Sequence, residues 1–163
     1  KAMVDSLTNV LNRNAYDKKI GQLLREVDRI KNTDSALMVV DIDHFKKLND
    51  NHGHKAGDKV LAAVASSIRD TIRATDALFR YGGEEFVVIL SNIKADNAEK
   101  LAEKIRDRVE KEYFVDKEKT LKVTVSIGLT CLQEKDTEQT LFERADKAMY
   151  NSKHKGRNRV TVA

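Results

Sequence analysis

The chain has 163 residues, of which 30 are Lys or Arg and 26 Asp or Glu, for a formal net charge of +4. That length supports one domain with a substantial core, and so small and dispersed a positive excess suits an anionic ligand while arguing against a duplex nucleic-acid binder. The longest apolar runs, Leu37 to Val40 and Phe86 to Leu90, are far too short to span a bilayer, and the single cysteine, Cys131, cannot close an internal disulfide.

Asp5-Ser6-Leu7-Thr8 and Asn12-Arg13 lead into a helix predicted from about Asn14 to Lys31. Tyr16, Ile20, Leu23, Leu24, Val27 and Ile30 recur there at helical spacing. Ala36 to Ile42 is a continuous apolar run of strand length, the pattern of a strand covered on both faces, and it ends in Asp41-Ile42-Asp43. A short helix is predicted from His44 to about Asp50, capped by Asp43. The stretch Asn49 to Asp58, punctuated by Gly53 and Gly57, reads as a polar loop. A helix follows it to about Ala74, with Val60, Leu61, Val64, Ile68 and Ile72 inward.

Next come two strand-like runs, Ala77 to Tyr81 and Phe86 to Leu90, joined by Gly82-Gly83. This is a hairpin in which both glycines are expected to take positive φ. A further helix spans about Ala95 to Glu112. Leu121 to Leu132 reads as one strand, Thr137 to His154 as a helix that stops at Gly156, and Arg159 to Val162 as a sheet edge. The order α-β-α-α-β-β-α-β-α-β predicts one α/β (α+β) domain over 1–163, with a ferredoxin-like mixed central sheet flanked by helices. No proline, repeat or low-complexity segment marks an internal boundary, and the opening at Lys1 rather than Met leads us to expect a C-terminal piece of a longer protein.

Chemistry concentrates at two places. Bare backbone at Gly82 and Gly83 lets a phosphate approach closely, and the adjacent Glu84 can hold the metal that accompanies a phosphate. Asp41 closes the first strand. Were its strand the neighbour of the hairpin, the two carboxylates would converge with the Ile42 carbonyl into an all-oxygen site suited to Mg²⁺. The helix opening at His44-Phe45 would aim free N–H groups at an anion in the same place. For Asp41 alone, a turn or cap role competes with this reading.

Gly82-Gly83-Glu84-Glu85-Phe86 resembles the motif that names the GGDEF family of diguanylate cyclases. The family pattern continues in Asp5-Ser6-Leu7-Thr8 with Asn12-Arg13, in Asp41-Ile42-Asp43-His44-Phe45-Lys46, and in Asn49, Gly53-His54 and Gly57-Asp58. Ser126-Ile127-Gly128, Ala148-Met149-Tyr150, Lys153 and Gly156-Arg157-Asn158 complete it over essentially the whole chain. The resemblance implies a bacterial, cytoplasmic domain that condenses GTP into cyclic di-GMP at a site shared by a homodimer. It also implies an upstream sensory or receiver domain in a parent signalling protein, which membrane attachment of that parent would not exclude.

Residue by residue, the resemblance implies Mg²⁺ (or Mn²⁺) on Asp41, the Ile42 carbonyl and Glu84. It makes Glu84 the acceptor of the 3′-hydroxyl proton, with Glu85 a second candidate that also reads as a charge on the hairpin rim. Lys46 would stabilise phosphate charge, although bare sequence gives a solvated helix lysine. Asn49 and Asp58 would read guanine, an Asp accepting from N1–H and N2–H₂ and an Asn donating to O6. Without the family they read as a helix end and a cap. Phe45, His54, Gly82 and Gly83 complete the substrate contacts, and Lys153 and Arg157 would grip the triphosphate, although cations complement any helix C-terminus. Arg73 and Asp76 stand in the register of the family's product-inhibition motif, with Lys104 where an arginine from a neighbouring helix is expected. A catalytically silent module that senses GTP or cyclic di-GMP is the alternative. A nucleic-acid-binding domain would need aromatics interleaved in the basic tail, and none is there.

Overall fold

The computed structural model describes residues 2–163. The chain runs α1 (Arg13–Ile30), β1 (Ser35–Ile42), α2 (Phe45–His52), α3 (His54–Thr71), β2 (Ala77–Arg80), β3 (Glu85–Ser91) and α4 (Ala95–Lys111). It continues through β4 (Phe114–Asp116), β5 (Lys119–Leu121), β6 (Val125–Cys131), α5 (Glu138–His154) and β7 (Arg159–Val162). The main sheet has the order β2-β3-β1-β6-β7. Every pairing in it is antiparallel except β6 with β7, so the mixed, ferredoxin-like arrangement is the one found.

Strand β1 is central because it is apolar on both faces. Met38, Val39 and Val40 are all fully buried, each stabilising the fold by roughly 1.5–3 kcal/mol relative to exposure. Ala36, Met38, Val40 and Ile42 pack with Val60, Val64, Ile68, Ala102 and Ile105 of α3 and α4. Leu37 and Val39 pack the other way, with Tyr16 and Ile20 of α1 and Leu141, Ala145 and Met149 of α5. The layers are therefore α1/α5, sheet, and α2–α4.

Helix α1 opens at Asn12, whose side chain accepts from the Ala15 N–H at 3.1 Å. Asp5 holds the preceding turn by accepting from the Thr8 N–H and hydroxyl, and its carboxylate pairs with Arg80 at 3.2 Å on the hairpin. Gly128 is required where it stands: a Cβ there would lie 2.1 Å from the Ala145 carbonyl oxygen and 2.2 Å from the Met149 nitrogen. β6 and α5 touch backbone to backbone.

Five expectations need correction. The stretch Asn49 to Asp58 is helical, α2 passing into α3 through Gly53 at φ 91°. Asp43 does not cap α2: the N-cap is His44, left-handed at φ 56°, with no side-chain cap bond. Asn49 accordingly lies inside α2 and Asp58 one turn inside α3, neither at an end. Gly82 and Gly83 do not take positive φ, which among the described glycines belongs to Gly53 and Gly156. Finally, the strand expected from Leu121 divides at Lys122 to Thr124, its first residue pairing with β4 in a separate small hairpin.

Candidate active site

Pleat parity decides what faces what at the end of β1. Leu37 and Val39 face α1 and α5, and Asp41, two residues on, faces the same way. The register sets Asp41 opposite Glu85 of β3 and opposite Ser126 of β6. The Ile42 N–H donates to the Glu84 carbonyl at 3.3 Å, so β1 and the hairpin are direct neighbours. From above this edge, α5 contributes Lys153. Its ammonium lies 2.9 Å from Asp41 Oδ1 and 3.2 Å from Asp43 Oδ1.

The electrostatics follow from burial first and crowding second. Removal from water, then Asp146, Asp41 and Glu84, push the Glu85 carboxyl up to about 7. Burial and then Asp41 raise Glu84, and the same causes raise Asp146. At Asp41 burial outweighs the help of Lys153, and its carboxyl is raised too. Burial alone would lower Lys153, but Asp41 and Asp43 more than compensate and hold it charged. Asp41, Glu84, Glu85 and Asp146 thus outnumber the cations that act on them, Lys153 at Asp41 and Glu84 and Arg13 at Glu85, an excess of negative charge that fits a divalent ion. Among the described residues no group of three or more His, Cys, Asp or Glu is arranged to hold a metal unaided. Mg²⁺ suits such a place, since it takes one or two carboxylates and completes its shell with phosphates and water. Asp41, Glu84 and the Ile42 carbonyl are the residues that would hold it.

Gly82 and Gly83 are exposed at the hairpin tip. A Cβ on Gly83 would meet nothing within 4 Å, and one on Gly82 only Glu85 Cβ at 3.7 Å. Neither packing nor a positive φ demands glycine there, and the bare backbone leaves room for a ligand to approach.

On the other side, α2 and α3 meet at Gly57. A Cβ on Gly57 would lie 1.8 Å from Asn49 Oδ1, so the Asn49 amide lies against the turn that carries Asp58. Asn49 Oδ1 is buried without a hydrogen-bond partner among the described residues. His54 opens α3 and is exposed, as are Asp58 and, in the first turn of α2, Lys46, while Phe45 is buried in the core. A cavity of about 780 Å³ on another face of α2, lined by Lys47, Leu48, His52, Leu121 and Lys122, holds none of the residues expected to read guanine.

Beyond α5, Arg157 is left-handed at φ 65° and its Nε is buried without a partner among the described residues. Arg73 is occupied by Asp76, with a contact of 2.6 Å, and also donates to the Ser91 and Asn92 carbonyls. Lys104 is exposed on α4 and shares no hydrogen bond or ion pair with that pair among the described residues. Asp146 was missed from the sequence. Its signal was available: it lies four residues after Phe142 and three before Met149, an acid on the inward side of an amphipathic helix.

A mixed sheet of this order, with carboxylates at adjoining strand ends and helix cations above them, places the domain in the nucleotide-cyclase-like class. The chain belongs to the diguanylate cyclase GGDEF-domain family, whose model matches residues 2–159. It is 40% identical over 163 residues to diguanylate cyclase DgcP of Pseudomonas aeruginosa, covering all of this chain and 24% of the relative. It is 41% identical over 165 residues to the probable diguanylate cyclase DgcT of Escherichia coli, covering 97% of this chain and 35% of that one. The crystal structure of the GGDEF domain of DgcB from Caulobacter crescentus, in complex with c-di-GMP, superposes with a TM-score of 0.95 at 37% identity, covering 99% of this chain and 96% of that one. The chain therefore spans between a quarter and about a third of the length of those two curated relatives. No helix among the described residues is long and apolar enough to cross a membrane.

Proposed function

We propose that this domain condenses two GTP molecules into cyclic di-GMP with release of two pyrophosphates. One observation carries the reading: Asp41 and the Glu84-Glu85 pair meet across adjacent strands beside an exposed Gly82-Gly83 tip, under the single ammonium of Lys153. Asn49 would donate its amide NH₂, and Asp58 accept at its exposed carboxylate, at a guanine edge, a pattern adenine does not satisfy. Lys153, Arg157 and Lys46 take the phosphate charge, with His54 and the N-terminus of α2 at Phe45 close to the nucleotide. Bound Mg²⁺, or Mn²⁺ in its place, supplies a lowered 3′-hydroxyl pKa and neutralises the triphosphate. Either Glu84 or Glu85 accepts the hydroxyl proton. Glu85, which titrates near neutrality, is the better matched while Glu84 serves the cation.

One domain binds one GTP on this reading, so two copies must face each other for each 3′-hydroxyl to reach the other α-phosphorus. In the cell an upstream sensory or receiver domain of the parent protein, itself cytoplasmic or membrane-attached, would set that pairing. Product binding at Arg73, Asp76 and Lys104 would provide feedback, Arg73 exchanging its internal Asp76 pair for guanine O6 and N7. Lysine at 104 keeps the charge but not the fork, which predicts weak inhibition.

The test is chromatography of nucleotides after incubation with GTP and Mg²⁺ over a wide range of protein concentration. A cyclic di-GMP peak rising more steeply than linearly with protein, and lost in Asp41→Ala, is expected. No product at any concentration, even in a dimerising fusion, would overturn the enzyme reading and leave a nucleotide-sensing module.

A further inference from the structure

We propose that Asp43 is a positioning residue that places both phosphate-gripping cations, Lys153 directly and Arg157 through the turn that carries it. The inference rests on the nucleotide reading above for what those cations grip, and on geometry alone for how they are held.

Asp43 is 3% exposed, and its carboxylate is fully engaged. Oδ1 accepts from the Ser126 hydroxyl at 2.7 Å and from the Lys153 ammonium at 3.2 Å. Oδ2 accepts from the Thr124 hydroxyl at 2.7 Å and from the backbone N–H of Asn158 at 3.0 Å. The Asp43 N–H in turn donates to the Thr124 carbonyl at 2.9 Å, fixing the loop that bears it. One side chain therefore ties the end of β1 to the start of β6, to the last turn of α5 and to the turn after it.

That second turn is unusual. Arg157 and Asn158 are both left-handed, at φ 65° and 48°, a conformation that needs outside support in non-glycine residues. The support comes from both ends of Asn158. Its backbone N–H goes to Asp43, and its side chain bonds to Glu110 and to Arg106 of α4. Held in this way, the turn fixes the backbone from which the Arg157 side chain departs.

Lys153 has two carboxylate partners in the structure, Asp41 and Asp43. A cation on Asp41 would displace it from one of them only. Asp43 keeps the ammonium at the edge of the site, with its remaining N–H bonds free to turn toward phosphate. A carboxylate is needed for this. Two of the four donors, the Asn158 N–H and the Lys153 ammonium, cannot become acceptors, and each addresses a different oxygen. An asparagine would set its own NH₂ against one of them in either amide orientation.

The experiment compares wild type with Asp43→Asn and with the milder Thr124→Ala, which removes one support of Oδ2 and keeps the charge. Amide hydrogen exchange on the ligand-free protein reads the clamp itself. Protection of the Asn158 N–H should be lost in Asp43→Asn, while β1 and β3 amides stay protected. Calorimetric titration reads its purpose: GTP affinity should fall by about ten- to hundredfold in Asp43→Asn and by a few-fold in Thr124→Ala, with guanosine affinity unchanged in both. Parallel losses for GTP and guanosine would mark a merely structural role and overturn the inference, as would full Asn158 protection with wild-type GTP affinity. Should Asp43→Asn not fold, Thr124→Ala decides alone: GTP weakened with guanosine untouched supports the inference, and any other result sinks it. Wild type that fails to bind GTP overturns the nucleotide reading, and the phosphate role of Asp43 with it, whereas a GTP-binding wild type with indifferent variants overturns the clamp only.

Discussion

Replacing Gly57 with alanine should separate the nucleotide site from the fold. The new Cβ would stand 1.8 Å from Asn49 Oδ1, 2.9 Å from Asn49 Cγ and 3.2 Å from Phe45 Cζ. The first two contacts are with the far end of a flexible side chain that can swing outward, and Phe45 need give by only tenths of an ångström. Alanine in a helix is favoured over glycine by roughly 0.5–1 kcal/mol, against about 1–3 kcal/mol for overpacking. The net loss is therefore about 0–2.5 kcal/mol, a fall in unfolding midpoint of less than about 10 °C. GTP binding should suffer far more, by about ten- to hundredfold, because the displaced amide no longer meets guanine. Thermal unfolding and calorimetric GTP titration on one preparation measure both. Asn49→Ala is the reference: each change should lose a similar factor, and the pair together no more than either alone. Wild-type GTP affinity in a well-folded Gly57→Ala protein would refute the reasoning.

Gly128→Ala is the opposite case, since the obstructing atoms are the Ala145 and Met149 backbone. Urea unfolding should show a loss of about 3 kcal/mol or more, and a loss under 1 kcal/mol would mean that α5 lifts freely from β6. Glu85, at about 7 when folded against 4.5 for an unperturbed glutamate, holds a proton between those limits that the unfolded chain has released, so its share of stability falls as pH rises through that window. Full linkage would amount to about 3 kcal/mol, and solvent screening reduces it to about 1–2 kcal/mol. Metal-free Glu85→Gln should thus exceed wild type by that much at about pH 8 and match it near pH 4.5, and equal stability at the higher pH would show that burial and crowding do not penalise the Glu85 carboxylate. Mg²⁺ at about 100 times its Kd should stabilise wild type by about 2.7 kcal/mol. The same gain in Asp41→Asn would place the ion elsewhere.

Much of the fold could be read from local pattern. Helical spacing located α1, α4 and α5, because their inward residues are apolar and their outward ones charged. The continuous run ending at Asp41 identified a central strand, because only a strand buried on both faces dispenses with alternation. The junction of α2 and α3 escaped because Asn49 to Asp58 is polar with two glycines, the usual composition of a loop. Gly53 does turn the chain there, but Gly57 serves a close helix contact, and sequence cannot tell those uses apart. The β4–β5 hairpin escaped because its strands are three residues each and half polar, too short for any period to register. At the site, Asp41, Glu84 and Lys153 could be named from motif alone. Asp43 could not be given its role, because its partners Thr124, Ser126, Lys153 and Asn158 lie 81 to 115 residues away. A carboxylate before a helix looks like a cap until those partners are folded around it.

That separation also orders events during synthesis. Lys153 is made 110 residues after Asp43, a delay of about 5–20 s at ordinary translation speeds. Through that interval β1 and β3 can already pair, and Asp41, Glu84 and Glu85 can already crowd together with no lysine to answer them. Of the protein's own cations on this edge only Arg13 has then been made, and a dissolved ion supplies the rest of the counter-charge. The nascent domain is an acidic edge first, and becomes a nucleotide-binding one when α5 closes over it.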